Sequence, residues 1–239
     1  MAAPSDLDQP GDRSVLVDSG FPNEPEPGGM VQRSRQRPRA EAALAYELHG
    51  NLYLNITYHC TLRCAFCPKF QGTWTVQGYD LLLTFEPTAE EVLAAVGDPT
   101  RYAEIVFCGL GEPTLRLDTL LAVARSLKTR GARHLRLNTD GLANLVHGRD
   151  VTPDLASVLD SVSVSMTAAD EATYNRHTRP KRAGAYPAML DFVRAARHQG
   201  IDVTMTAIHG LEDVDIAACE RIAESLGARF RRRELDVVG

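Results

Sequence analysis

The fold of this chain is decided by Asn55-Ile56-Thr57-Tyr58-His59-Cys60-Thr61-Leu62-Arg63-Cys64-Ala65-Phe66-Cys67-Pro68-Lys69-Phe70, which sets Cys60, Cys64 and Cys67 within eight positions. Only five cysteines occur in the whole sequence, so this density calls for a reason. A disulfide framework needs paired thiols in an oxidising compartment, and three closely spaced cysteines without a secretion signal meet neither condition. The thiols read as metal ligands. A structural zinc site would close its tetrahedron with His59, Cys108 or Cys219 as the fourth ligand. His59 suits that role poorly, because neighbouring residues at the end of an extended run point opposite ways. An iron-sulfur cluster normally takes one cysteine per iron, and three local cysteines leave one iron open to a ligand that is not protein.

Cys60-x3-Cys64-x2-Cys67, with Phe66 before the last cysteine and an expected first strand just upstream, resembles the cluster loop of the radical S-adenosylmethionine (radical SAM) superfamily. That resemblance implies a [4Fe-4S] cluster whose open iron chelates the methionine moiety of S-adenosylmethionine, with Phe66 among the cofactor-binding residues. It further implies reductive cleavage to a 5'-deoxyadenosyl radical, which abstracts hydrogen from a substrate, and a one-electron reductant of flavodoxin or ferredoxin type.

Downstream, short extended runs alternate with amphipathic stretches. Strands are expected over residues 52–57, 104–107, 134–138, 161–166, 203–208 and 228–233, and helices over 88–96, 117–130, 170–177, 186–199 and 212–226. Five βα pairs and a closing strand predict a parallel α/β sheet. Without its first 40 residues the chain is short for an eight-unit barrel of roughly 200 to 250 residues. A partial (β/α)6 TIM-like barrel is the economical solution and the fold the resemblance implies. Leu52, Leu54 and Ile56 alternate with Tyr53, Asn55 and Thr57; Val162, Val164 and Met166 alternate with Ser161, Ser163 and Ser165; Val203 and Met205 alternate with Thr204 and Thr206. If the apolar faces lie under helices, the polar faces line a lumen suited to a polar ligand.

The second expected strand runs into Cys108-Gly109-Leu110-Gly111-Glu112-Pro113. Glycines there let a ligand approach the backbone, and Pro113 biases Glu112 toward an extended conformation. The segment resembles the superfamily's Gly-Gly-Glu-Pro motif, which implies that Gly109, Gly111 and Glu112 receive the cofactor's ammonium group; Leu110 departs from the pattern. Asn138-Thr139-Asp140-Gly141 resembles the Thr-Asn-Gly after the third strand, with Asp140 where Asn is usual. Asn138 and either Ser163 or Ser165 are then expected to hydrogen-bond the ribose or the methionine carboxylate. Tyr174, His177 and Arg179 stand either where a positive group could meet the cofactor carboxylate or an anionic substrate, or at a solvated helix end. The last strand carries Arg229, Arg231, Arg232 and Arg233, which either enter the lumen to bind an anion or protect a sheet edge. Trp74 reads as a packing residue in the irregular stretch 71–86. Cys108 and Cys219 read as buried free thiols, without a second cluster.

Composition bounds the rest. A 239-residue chain with 44% hydrophobic residues holds one large domain or two small ones, and a formal net charge of -5 argues against bulk electrostatic binding of nucleic acid. Residues 1–44 are expected to be a disordered tail, since the first 40 positions hold six of thirteen prolines and little periodic apolar pattern. Residues 45–239 then form the barrel domain. Arg33, Arg35, Arg37 and Arg39 read as a solvated basic run. Neither a charged-then-apolar leader nor an apolar run of about 18 residues is present, so a cytoplasmic protein with no membrane span is expected. Gly78-Tyr79-Asp80-Leu81, residues 106–117 and residues 141–150 narrow the resemblance to TatD-associated radical SAM proteins, which implies a functional link to a TatD-type nuclease but no particular substrate.

Overall fold

A computed structural model describes residues 43–235. The tail expected over residues 1–44, with its arginine series, lies outside the described residues except for its last two positions. The described chain opens with an antiparallel hairpin, β1 (Ala45–Leu48) and β2 (Asn51–Leu54), turned through His49 and Gly50, whose φ angles are 53° and 76°. A second hairpin, β3 (Thr75–Val76) and β4 (Tyr79–Asp80), turns through Gln77 and Gly78 at 49° and 85°. Two left-handed residues in succession give the turn twist that matches paired strands. The stretch expected to be irregular between residues 71 and 86 therefore contains a small ordered hairpin.

β5 (Ile105–Phe107), β6 (Leu135–Thr139), β7 (Ser161–Thr167), β8 (Asp202–His209) and β9 (Arg229–Glu234) continue parallel to β2. Together with β1 they make one seven-stranded sheet in the order β1-β2-β5-β6-β7-β8-β9. The interleaved helices are α1 (Ala89–Val96), α2 (Leu117–Thr129), α3 (Ala143–His147), α4 (Thr152–Ala156), α5 (Glu171–Thr178), α6 (Ala185–His198) and α7 (Ile216–Ser225). All six expected parallel strands are present, and the architecture is the partial α/β barrel. The added β1 makes the sheet mixed.

Local chemistry sets the element ends. Thr88 and Glu91 form a reciprocal capping box that starts α1. Asp215 accepts the N–H of Ala218 at 2.9 Å, so α7 begins at Ile216 and not at the expected 212. The first parallel strand ends at Leu54, short of the expected Thr57. The next residues instead run beside the loop after β5, where Cys108 N–H bonds Leu54 O at 2.9 Å.

The two faces of the strands separate as the alternation predicts. Leu52, Leu54, Leu135, Leu137, Val162, Val164, Val203 and Met205 belong to one core with Leu120, Leu127, Phe192 and Ala223 of the helices. Burying such side chains contributes about 1.5 to 3 kcal/mol each. The opposite face carries Arg136, Asn138, Ser161, Ser163, Ser165, Thr204 and Thr206, joined across the sheet by register: Asn138 pairs with Ser163, Ser163 with Thr204, and Thr204 with Arg229. A smaller core of Tyr46, Val76, Leu81 and Leu110 fastens both hairpins to the turn after β5, with Trp74 packed against it.

Candidate active site

The cysteine loop follows β2 and lies over the carboxyl ends of the strands. Backbone hydrogen bonds moor it on two sides. Arg63 N–H donates to Thr178 O at 2.8 Å and Ala65 N–H to His177 O at 2.9 Å, while Lys181 N–H donates to Thr61 O at 3.0 Å. On the other flank Lys69 Nζ donates to Tyr58 O at 2.7 Å and sits 3.7 Å from the Tyr58 ring centroid. Trp74 reaches the same flank, donating its indole N–H to Tyr58 Oη at 3.0 Å.

Cys60, Cys64 and Cys67 come together within this frame. Burial pushes all three thiols up, and at Cys64 the neighbouring Cys60 and Cys67 sulfurs push further in the same direction. The proposed zinc partners stand elsewhere. His59 is turned to Glu86, with 3.6 Å between Nε2 and Oε1. Cys108 lies beside Asn138 and Tyr46, and Cys219 is buried in α7 near Asp215 and Asp170. Among the described residues no three His, Cys, Asp or Glu side chains converge on a point where one ion would sit.

The Gly109–Glu112 turn packs directly against this loop. A Cβ on Gly109 would stand 2.1 Å from Asn55 Oδ1, and one on Gly111 would stand 2.3 Å from Thr57 O and 2.6 Å from His59 O. On that side, close packing of the protein itself requires the glycines. Glu112 anchors the turn. Its carboxylate is buried and accepts from Thr114 N–H (3.0 Å), Thr114 Oγ1 (2.7 Å), Thr139 Oγ1 (2.8 Å) and Asp140 N–H (2.8 Å), while its own N–H donates to His59 O at 2.7 Å. The side chain shapes the turn mainly through Oε1, which takes three of these bonds, while Oε2 takes one.

Asp140 lies directly beneath the cysteines. One oxygen accepts Leu142 N–H at 2.9 Å and the other accepts the Thr61 hydroxyl. Burial raises the Asp140 carboxyl well above its ordinary value, and the adjacent Glu112 charge raises it further. Burial raises Glu112 as well. Two carboxyls in one dry site share a proton more readily than both ionise.

The remaining expected residues divide by height along the lumen. Asn138 Oδ1 accepts from Arg136 Nη1 at 2.5 Å, and the Asn138 side chain neighbours Cys108. Ser163 is buried and lines a cavity of about 330 Å³ toward the amino ends of the strands. Ser165 stands one layer nearer the cysteine loop, where a register shift and a left-handed Thr167 (φ 66°) distort the end of β7. Phe66 is half-buried in the loop. Tyr174 is fully buried near Asp140 and Cys64; His177 Nε2–H donates to Glu212 O at 2.8 Å; Arg179 is exposed at the left-handed end of α5. Sequence reading missed Asn55, Thr61, Thr114 and Thr139, which frame the site. Only Thr114 carried a local signal, as the residue two after Glu112 across Pro113.

Against known proteins, the model of the Radical SAM superfamily matches residues 54–226. Among curated relatives, a GTP 3',8-cyclase of Corynebacterium glutamicum (strain R) is 28% identical over 185 residues, covering 76% of this chain and 48% of its own. A probable dual-specificity RNA methyltransferase RlmN 1 of Opitutus terrae is 28% identical over 179 residues, covering 71% and 48%. The chain spans about half the length of these relatives. In fold it is similar to TYW1 with a lysine-pyruvate adduct bound (TM-score 0.55, 15% identity, 88% of this chain and 74% of that one). It is also similar to Streptococcus suis SuiB bound to S-adenosylmethionine (TM-score 0.58, 14% identity, 79% and 41%).

Proposed function

Because this chain belongs to the radical SAM superfamily, we propose that it is an enzyme whose Cys60, Cys64 and Cys67 hold a [4Fe-4S] cluster and whose lumen binds S-adenosylmethionine. Domains of this family typically bind both groups. When bound, they supply reductive cleavage of the sulfonium and a 5'-deoxyadenosyl radical that takes hydrogen from a substrate. The observation that carries the reading is the trio of neighbouring, half-buried thiols, with His59, Cys108 and Cys219 each engaged elsewhere.

The chain's own residues supply orientation and shelter. Gly109, Gly111 and Glu112 would receive the methionine ammonium, and the Glu112 carboxylate also keeps that turn in shape through its four acceptor contacts. Asn138 and Ser165 would meet ribose or carboxylate oxygens; Ser165 is favoured over Ser163 because it lies one layer nearer the cysteine loop. Phe66 would flank the cofactor.

A one-electron reductant of flavodoxin or ferredoxin type, a cytoplasmic setting and a functional link to a TatD-type nuclease complete the proposal, the last resting on the segments 78–81, 106–117 and 141–150. Among the described residues no helix is long and apolar enough to cross a membrane. Anaerobic reconstitution tests the reading. Four irons and four sulfides per chain, with 5'-deoxyadenosine formed from S-adenosylmethionine under reductant, are expected. One tightly held zinc without cofactor cleavage would make the chain an interaction module, and a redox-active cluster indifferent to S-adenosylmethionine would make it an electron carrier.

A further inference from the structure

The inner face of β9 presents an ascending series of guanidinium groups. Arg229 pairs with Thr204, Arg231 with Thr206 and Arg233 with Ile208 in the β8–β9 register, so these three share the face that carries the polar lumen residues. Phe230 faces the other way, into the core beneath the helices, and Arg232 joins Glu234 and His209. The series is therefore sorted by strand parity, whereas charges that merely guard an edge need no such sorting. Arg229 and Arg231 line the cavity of about 330 Å³ together with Arg136, Ser161, Ser163 and Thr204. Arg233 stands higher, close enough to Cys108 to influence its thiol.

Two of these cations are already compensated within the protein. Arg136 is gripped by both oxygens of Glu104, at 2.9 and 2.8 Å, and Arg229 is joined to Asp202. Arg231 meets no carboxylate among the described residues, and Arg233 Nε is buried without a hydrogen-bond acceptor. Burial and the neighbouring Arg231 charge both disfavour the Arg233 cation, a penalty that an arriving anion would relieve. On this face Arg231 is exposed and Arg233 half-buried, so an anion entering the lumen could reach both forks without displacing a protein carboxylate.

We propose that Arg231 and Arg233 bind the anionic group of the substrate, a phosphoryl or carboxylate group, in the lumen below the cysteine loop. Alternate residues of a strand lie about 7 Å apart, so the two forks together span a diphosphate or two carboxylates. The proposal deepens the radical SAM reading and depends on it only in calling the anion part of a substrate.

The test uses the full, anaerobically reconstituted chain in physiological salt, with inorganic pyrophosphate and tricarballylate as separate probes in calorimetry. Saturable binding of at least one probe is expected, weakened tenfold or more by Arg231→Gln and by Arg233→Gln, with affinity for S-adenosylmethionine kept within twofold. The probe that binds better identifies the phosphoryl or the carboxylate class. Arg232→Gln, on the opposite face, should bind like the wild type and controls for folding of β9. The proposal is overturned if neither probe saturates, if both inward variants bind normally, or if S-adenosylmethionine affinity falls in parallel, which would assign the arginines to the cofactor. Failure of the wild type to cleave S-adenosylmethionine would instead sink the radical reading, and anion binding is measured independently of it.

Discussion

Glu112 accepts the backbone N–H of Asp140 at 2.8 Å, and through this contact one side chain ties the carboxyl end of β5 to that of β6. Three further donors converge on the same carboxylate. Glu112→Ala leaves two buried backbone N–H groups without acceptors and should cost about 3 kcal/mol of stability. Urea unfolding of the cluster-free protein checks this, and an unshifted midpoint would contradict the structural role. Weakened cofactor binding in the same variant would follow from the deformed turn.

Asp140 gives a pH signature. Burial and the Glu112 charge raise its carboxyl, so the stability linked to that proton is complete below the unfolded value of about 3.9 and is lost as pH climbs through the higher folded value. Asp140→Asn keeps an acceptor for Leu142 N–H and can donate to the Thr61 hydroxyl while removing the repulsion. The cluster-free variant should be more stable than the wild type by about 1 kcal/mol at pH 7.5, with the gain shrinking toward pH 4. Equal stabilities across that range would show that the two carboxyls do not interact.

Gly111→Ala should block assembly of the site. Its Cβ would overlap the carbonyl oxygens of Thr57 and His59, and two backbone positions cannot both yield without moving the loop from the turn. Less than a tenth of wild-type 5'-deoxyadenosine formation is expected. Gly78→Ala, at a left-handed position with open space around it, should cost only about 1 kcal/mol and leave activity intact.

Cys60→Ala, Cys64→Ala and Cys67→Ala should each abolish cofactor cleavage, while Cys219→Ala leaves the iron content unchanged because that thiol is buried in α7. Iron and sulfide analysis after reconstitution separates the outcomes. Full cleavage activity in any of the three loop variants would refute the ligand assignment.

Acid should weaken a different contact. Burial alone would raise the Asp160 carboxyl, but hydrogen bonds from Lys128 (2.7 and 2.6 Å) and Leu135 N–H (2.7 Å) outweigh it and hold the group below its ordinary value. This contribution is present above about pH 3.9 and is lost as pH falls through the lower folded value. Partial exposure limits it, so Asp160→Asn should cost about 1 kcal/mol at pH 7 and less at pH 2. A cost that does not change with pH would rule out the charge as its source.

The sequence made the cysteine trio, the six parallel strands and their polar and apolar faces legible, because each is encoded by spacing over a few residues. The hairpins at His49-Gly50 and Gln77-Gly78 escaped notice because neither dipeptide is a strong turn signal, though both hold consecutive positive φ angles. The helices at 143–147 and 152–156 are too short to establish a 3.6-residue period. Glu112 was legible as a site residue but its structural contacts were not. Its partners Thr139 and Asp140 lie 27 and 28 positions away, and only folding reveals that they donate to it.

Within the described residues, β1 and β9 end the sheet at opposite margins and do not pair with each other. Strand pairing therefore leaves this wall unclosed, and whatever bounds the lumen on that side must do so with side chains and loops, not with a ladder of backbone hydrogen bonds.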